Sequence, residues 1–166
     1  LELDPATLRR LCESFVDNLV TMHAVDYEKA GLADLGKPAG YVERQVKGWT
    51  DRYLNAQTDD IPAMKEVADW LEKNRPGEVG ASLIHNDYKF DNIVLDVQDI
   101  TKIIGVLDWE MVTIGDPLMD LGTTVGYWIQ ADDPPALQAF VVGPTRLEGA
   151  FSRKELIERY EVRSGR

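Results

Sequence analysis

The stretch His85-Asn86-Asp87-Tyr88-Lys89-Phe90-Asp91-Asn92 decides the reading of this chain, together with Val106-Leu107-Asp108-Trp109-Glu110 further on. A His, an Asp two residues on, an Asn five beyond that and a later Asp after a strand are the polar parts that a phosphoryl-transfer site requires. One group orients an acceptor hydroxyl, and oxygen ligands hold a divalent cation on the phosphates. A spacing alone is a weak signal, so the elements around it carry the argument.

Three short runs flank these residues: Ser82-Leu83-Ile84, Ile93-Val94-Leu95 and Lys102-Ile103-Ile104-Gly105-Val106-Leu107. Their β-branched content favours strand over helix. If residues 93–95 run out, 96–101 turn and 102–107 return, Asn92 and Asp108 face each other at the open end of an antiparallel hairpin. Facing residues in such a ladder have Cα atoms only ~4.5–5.5 Å apart. An amide oxygen and a carboxylate at that separation can share a cation. Mg²⁺ takes oxygen ligands, keeps several waters and uses one or two protein groups with substrate phosphates, so Asn92 and Asp108 suit it. Zinc would want more His or Cys than this chain brings together. Asp87, on the loop entering the same hairpin, faces the same cavity and stands where a base would orient and deprotonate an acceptor hydroxyl.

The rest of the chain reads mainly as helix. Leu8, Leu11, Phe15, Leu19 and Met22 recur at three- and four-residue spacing, behind Asp4 and Pro5 as a start signal. A second helical pattern runs from about Tyr41 to Tyr53, and a third from Asp60, with Pro62 in its first turn, to a stop at Arg75-Pro76-Gly77. The segment after Trp109 reads as loop through Gly115-Asp116-Pro117, then as helix from Leu118 to Trp128, broken by Asp132-Asp133-Pro134-Pro135. Ser152-Arg153-Lys154-Glu155 is a capping box opening a helix that ends near Tyr160. No internal repeat or low-complexity tract is present. His23, at the end of the first helix, reads as structural. Asp91, Asp96 and Asp99 read as turn carboxylates, Asp116 as a helix cap or a site organiser, and Trp109 as packing.

At 166 residues the chain has the length of one domain, and 44% hydrophobic content with four Trp and six Tyr makes it globular rather than disordered. No apolar run approaches the ~20 residues needed to cross a bilayer. Glu2 and Asp4, in place of basic residues, do not make a signal peptide. A reducing, cytoplasmic setting is therefore expected. The single Cys12 sits within an apolar-periodic segment and reads as a packing residue. A net charge of −11 repels phosphate backbones, which argues against nucleic acid and suits a cationic small substrate or none in particular.

His85-x-Asp87-x-x-x-x-Asn92, Val106-Leu107-Asp108-Trp109-Glu110 and Gly115-Asp116-Pro117-x-x-Asp120-Leu121 together resemble the aminoglycoside phosphotransferase and choline kinase-like family, whose fold is similar to that of protein kinases. Leu19 to Asp26 and Tyr41 to Trp49 resemble in particular the branch found with acyl-CoA dehydrogenases. The resemblance implies an α+β fold: a mostly helical, kinase-like C-terminal lobe with a small antiparallel hairpin at its active edge, spanning residues 1–166. It also implies that Asp87 is the catalytic base and that Asn92 and Asp108 hold Mg²⁺ on the phosphates of ATP. Lys89 would neutralise charge on the transferring phosphoryl group, while His85, Asp116 and Asp120 would support the site.

The second loop position is usually Gly in that family and is Asn86 here; Asn tolerates left-handed backbone better than most residues. No Gly-x-Gly-x-x-Gly is present, so the nucleotide-binding lobe is expected outside this chain, and the isolated lobe is expected to be inactive. The implied reaction is transfer of the ATP γ-phosphoryl group to a hydroxyl of a small molecule. Two other readings use the same residues: a non-catalytic pseudokinase module that binds a ligand or partner, and a Mg²⁺-dependent phosphohydrolase with water as acceptor.

Overall fold

In the computed structural model, residues 3–166 are described; Glu2, used above in reading the N-terminus, lies outside the described residues. The chain folds as α1 (Pro5–His23), α2 (Tyr41–Ala56), α3 (Pro62–Asn74), β1 (Ser82–Ile84), β2 (Ile93–Leu95), β3 (Ile103–Val106), β4 (Thr113–Gly115), α4 (Pro117–Tyr127), α5 (Pro135–Gln138) and α6 (Arg153–Ser164). This is the α+β, mostly helical architecture expected. No helix is long and apolar enough to cross a membrane.

Helix α1 is the spine of the core because its apolar residues share one face. Leu8, Leu11, Cys12, Phe15, Val16, Leu19 and Met22 are all buried and pack with Tyr88, Leu121, Trp128, Phe151, Leu156 and Tyr160. Asp4 caps the helix by accepting the Thr7 backbone N–H at 3.0 Å. Around Phe15 the rings of Tyr88, Phe90 and Trp128 lie at centroid distances of 4.3, 4.6 and 5.5 Å. Burial pushes the Cys12 thiol up to about 11, as expected of a packing residue. Helices α2 and α3 pack on one another as a hairpin, and α3 buries no residue fully.

Helix α6 is fixed to α1 through its first turn. The Glu155 backbone N–H donates to Ser152 Oγ, the Ser152 N–H donates to Glu155 Oε2 at 2.8 Å, and Arg9 donates to Glu155 Oε1 at 2.7 Å. The Ser152 N–H first, then the Arg9 guanidinium, hold the Glu155 carboxyl down to about 2. A carboxyl depressed on folding adds stability that is present above its ordinary range and is lost as pH falls toward the folded value. Glu155→Gln is accordingly expected to lower stability at pH 7 by about 1 kcal/mol, discounted for a partly exposed pair, and to cost much less at pH 2. Denaturant melts at the two pH values check this; equal losses at both would refute it.

Two short antiparallel sheets replace the single hairpin anticipated. Strands β2 and β3 form the expected hairpin, and β1 pairs with β4 in the register Leu83↔Ile114. Thr113–Gly115, read from sequence as loop, is therefore a strand. Three residues are too few to show a period, and the partner of β4 lies some thirty residues upstream, so only tertiary pairing reveals it. Helix α5, at the Pro134-Pro135 break, is likewise an addition.

Candidate functional site

The segment from His85 to Asn92 alternates between core and cavity. Tyr88 points inward: its hydroxyl donates to the Phe15 carbonyl at 2.9 Å and accepts from Asn18 at 3.1 Å, so the loop is bolted to α1. Asn86 takes φ +64, the left-handed conformation anticipated for it. A single turn in that region reverses the chain and sends Asp87 and Tyr88 to opposite sides.

One face of α4 braces this segment at three successive points. Asp120, Thr124 and Tyr127 are spaced i, i+4, i+7 and so lie along one stripe of the helix. Fully buried Asp120 accepts the backbone N–H groups of His85 and Asn86, each at 2.8 Å. Thr124 donates to the Tyr88 carbonyl at 2.9 Å, and the Tyr127 hydroxyl donates to Asp87 Oδ1 at 2.7 Å. Behind Asp120 stands His23, 4% exposed, with Nε2 3.1 Å from Asp120 Oδ2 and Nδ1 2.7 Å from the Tyr160 hydroxyl. An acceptor carboxylate on one side assigns the ring proton to Nε2, and Nδ1 then accepts from Tyr160. The helix-end histidine thus ties α1 and α6 to the site. Asp116 is the N-cap of α4, accepting Leu118 N–H at 2.8 Å, and its other oxygen accepts Val79 N–H at 2.8 Å.

His85 joins the loop to the strand that delivers Asp108. Its Nδ1 accepts the Asp87 backbone N–H at 3.3 Å, so Nε2 carries the proton and donates to the Leu107 carbonyl at 2.8 Å. Trp109 covers the imidazole, with ring centroids 4.8 Å apart, in agreement with a packing role.

At the hairpin mouth the register differs by one residue from expectation. Ile93 pairs with Val106, and Leu107 N–H donates to the Asn92 carbonyl at 2.8 Å, so Leu107 rather than Asp108 lies opposite Asn92. The register is set where the turn closes, with Leu95 paired to Ile103; Val94 then pairs with Gly105, and the extra residue Ile104 forms a bulge that brings Asp108 one position nearer to Asn92 than a regular ladder would. Asp108 comes next, beyond the ladder, and turns in the left-handed region at φ +64. Its carboxylate is accordingly released from strand geometry.

Asn92 donates twice through Nδ2, to the Asp87 carbonyl and to Asp87 Oδ2, both at 2.9 Å. Its amide oxygen Oδ1 is left as the acceptor of the group. Lys89 donates to Asp87 Oδ2 at 2.7 Å and lies 5.0 Å from the Tyr127 ring centroid. Burial works to raise the Asp87 carboxyl, but the donors Lys89, Tyr127 and Asn92 together outweigh it and hold the group below the usual carboxylate range. Asp87 is thereby an ionised acceptor with a fixed orientation. Among the described residues, no three His, Cys, Asp or Glu side chains gather as a closed metal cage. An amide oxygen from Asn92 and a carboxylate from Asp108 are hard-oxygen donors of the type that Mg²⁺ takes.

Over residues 1–156 the sequence matches the family model described as phosphotransferase enzyme family. The chain belongs to that family. Human acyl-CoA dehydrogenase family member 11 is 41% identical over 120 residues, covering 72% of this chain and 15% of that protein. An aminoglycoside phosphotransferase-like protein from Ralstonia eutropha JMP134 superposes with a TM-score of 0.86 at 32% identity, covering 99% of this chain and 50% of that one. The ternary complex of streptomycin and ATP with APH(2″)-IIa shares the fold alone, at 15% identity and a TM-score of 0.53, over 98% of this chain and 52% of that one. This family member therefore spans 15–52% of the length of these three proteins.

Tyr127 and His23 are the site groups that the sequence reading missed or placed on the periphery. For Tyr127 a signal existed: Asp120, Thr124 and Tyr127 form a polar stripe on an otherwise apolar helix. His23 offered none, because its partners are 97 and 137 residues away.

Proposed function

We propose that this chain is the C-terminal lobe of a small-molecule kinase that transfers the γ-phosphoryl group of ATP to an alcohol, with Mg²⁺ as cofactor. The carrying observation is the pair of hydrogen bonds from Asn92 Nδ2 to Asp87, which fixes the base and leaves Asn92 Oδ1 as the acceptor of that amide, with Asp108 just past the hairpin mouth. The fold neighbour that holds ATP supports the choice of donor. The nucleotide-gripping lobe belongs, on this reading, to sequence outside residues 1–166.

In the proposed reaction the acceptor hydroxyl approaches Asp87 Oδ1, the oxygen now bonded by Tyr127. As the acceptor oxygen bonds to the γ-phosphorus, the bond from phosphorus to the β,γ-bridging oxygen breaks, ADP leaves, and the hydroxyl proton passes to Asp87. A base held below the ordinary carboxylate range suits a loose transition state, in which orientation of the nucleophile counts for more than early proton removal. Lys89 stands beside the same carboxylate to offset charge on the phosphoryl oxygens. Bound Mg²⁺ would neutralise the β- and γ-phosphates through Asn92 and Asp108.

The test is an ATP-consumption assay of the full-length protein with a panel of alcohols. Asp108→Asn is expected to raise the Mg²⁺ concentration needed for half-maximal rate by at least about tenfold. Full activity at unchanged Mg²⁺ would refute the assignment. Tyr127→Phe removes one donor from Asp87, so the acid limb of the kcat/KM profile is expected to move to higher pH. An unmoved limb would show that Asp87 is not the group titrating.

A further inference from the structure

A cavity of about 870 Å³ lies beside the candidate base: Asn86, the residue before Asp87, and Tyr127, whose hydroxyl donates to Asp87 Oδ1, both line it. Its lining is rich in cations. Lys37, from the segment before α2, and Arg44 and Arg52, from α2, all contribute to the lining, against a single lining carboxylate, Glu110.

These three cations lack ion-pair partners. Many other basic side chains are neutralised by the surplus of acidic groups: Lys29, Lys47 and Lys65, for example, are each paired with a nearby Asp at 2.5–2.6 Å. Among the described residues, no carboxylate lies within ion-pair distance of Lys37, Arg44 or Arg52. Arg44 donates to the backbone carbonyls of Ala39 and Lys37, which orients its guanidinium without cancelling its charge. Arg52 Cζ lies 4.7 Å from the ring centroid of Trp49, another lining residue, within cation–π range. In a chain of net charge −11, three unpaired cations at one cavity concentrate positive potential where the protein as a whole repels anions.

From this arrangement we infer that the acceptor alcohol carries an anionic group, a carboxylate or a phosphate ester, which Lys37, Arg44 and Arg52 bind while its hydroxyl reaches Asp87. The inference rests on the phosphotransferase reading of Asp87 and adds the charge class of the acceptor. It also excludes the polycationic acceptors that net charge alone would favour. Guanidinium groups hold carboxylates and phosphates by paired, charge-assisted hydrogen bonds, and Arg52 is free to make them.

The experiment compares kcat/KM of the full-length protein for three groups of alcohols: carboxylated or phosphorylated, neutral, and cationic amino alcohols and aminoglycosides. At least a tenfold preference for the anionic class is expected, falling as ionic strength rises. Arg52→Gln and Lys37→Gln, both on exposed side chains, are each expected to raise the acceptor KM about tenfold while the KM for ATP and kcat stay unchanged. The carboxylated and phosphorylated arms identify which anion is recognised. Preference for cationic or neutral acceptors, or an acceptor KM indifferent to both substitutions, overturns the inference and leaves the kinase reading standing. Absence of ATP-dependent phosphorylation of any of the three alcohol classes by the full-length protein overturns the kinase reading itself.

Discussion

Asp87→Asn in the full-length protein is expected to lower kcat by about 10²–10⁴-fold, the range that a positioned general base supplies. The substitution keeps the size of the side chain and changes its chemistry twice over. The proposed proton acceptor is lost. In addition, Lys89 Nζ, Asn92 Nδ2 and the Tyr127 hydroxyl all donate to this side chain, and an amide offers one oxygen where the carboxylate offered two. One donor is then left facing an N–H. Steady-state kinetics with saturating ATP checks the effect, and a thermal melt separates lost chemistry from lost structure. A variant that keeps its rate within threefold of the parent would remove Asp87 from the mechanism and favour the non-catalytic reading.

Asp120→Ala is the substitution expected to damage the site most from a distance. Three donors converge on this fully buried carboxylate: the backbone N–H groups of His85 and Asn86, and His23 Nε2. Removing one member of a buried charged network costs about 3–5 kcal/mol, because the remaining groups are stranded without water. That is a large part of the ~5–15 kcal/mol that holds a domain folded. Amide hydrogen exchange at His85 and Asn86 is expected to speed up by two to three orders of magnitude, with about 1.4 kcal/mol corresponding to each tenfold change. Asp120→Asn keeps one acceptor and is expected to fall between parent and Ala. Exchange at parental rates in Asp120→Ala would mean that the loop holds its shape through Tyr88 and His85 alone.

Much of this was legible because the determinants are local. The apolar spacing of Leu8 to Met22 with Asp4 and Pro5 ahead of it specifies α1, and the capping box at Ser152 specifies the start of α6. The tolerance of Asn for positive φ explains why residue 86 can turn the loop without Gly. The family follows from three ordered motifs whose residues lie close together along the chain.

What stayed hidden depends on partners that the sequence keeps far apart. Strand β4 exists because β1 offers it an edge, and its own three residues carry no period. The offset of Asp108 from Asn92 is set where the turn closes, at the pairing of Leu95 with Ile103, and the bulge at Ile104 narrows it by one residue. Tyr127 reaches Asp87 only because α4 lies along the loop, and His23 reaches Asp120 only because α1 and α6 converge behind it. The cavity charge is the sharpest case: a net charge of −11 is a sum over the sequence, whereas Lys37, Arg44 and Arg52 act through where they stand. Composition and spacing therefore determined the elements, the family and the candidate chemistry of this protein. Tertiary packing alone decided which oxygens are left free, how the base is held and what charge the cavity presents, because hydrogen bonds and fields depend on distance in space.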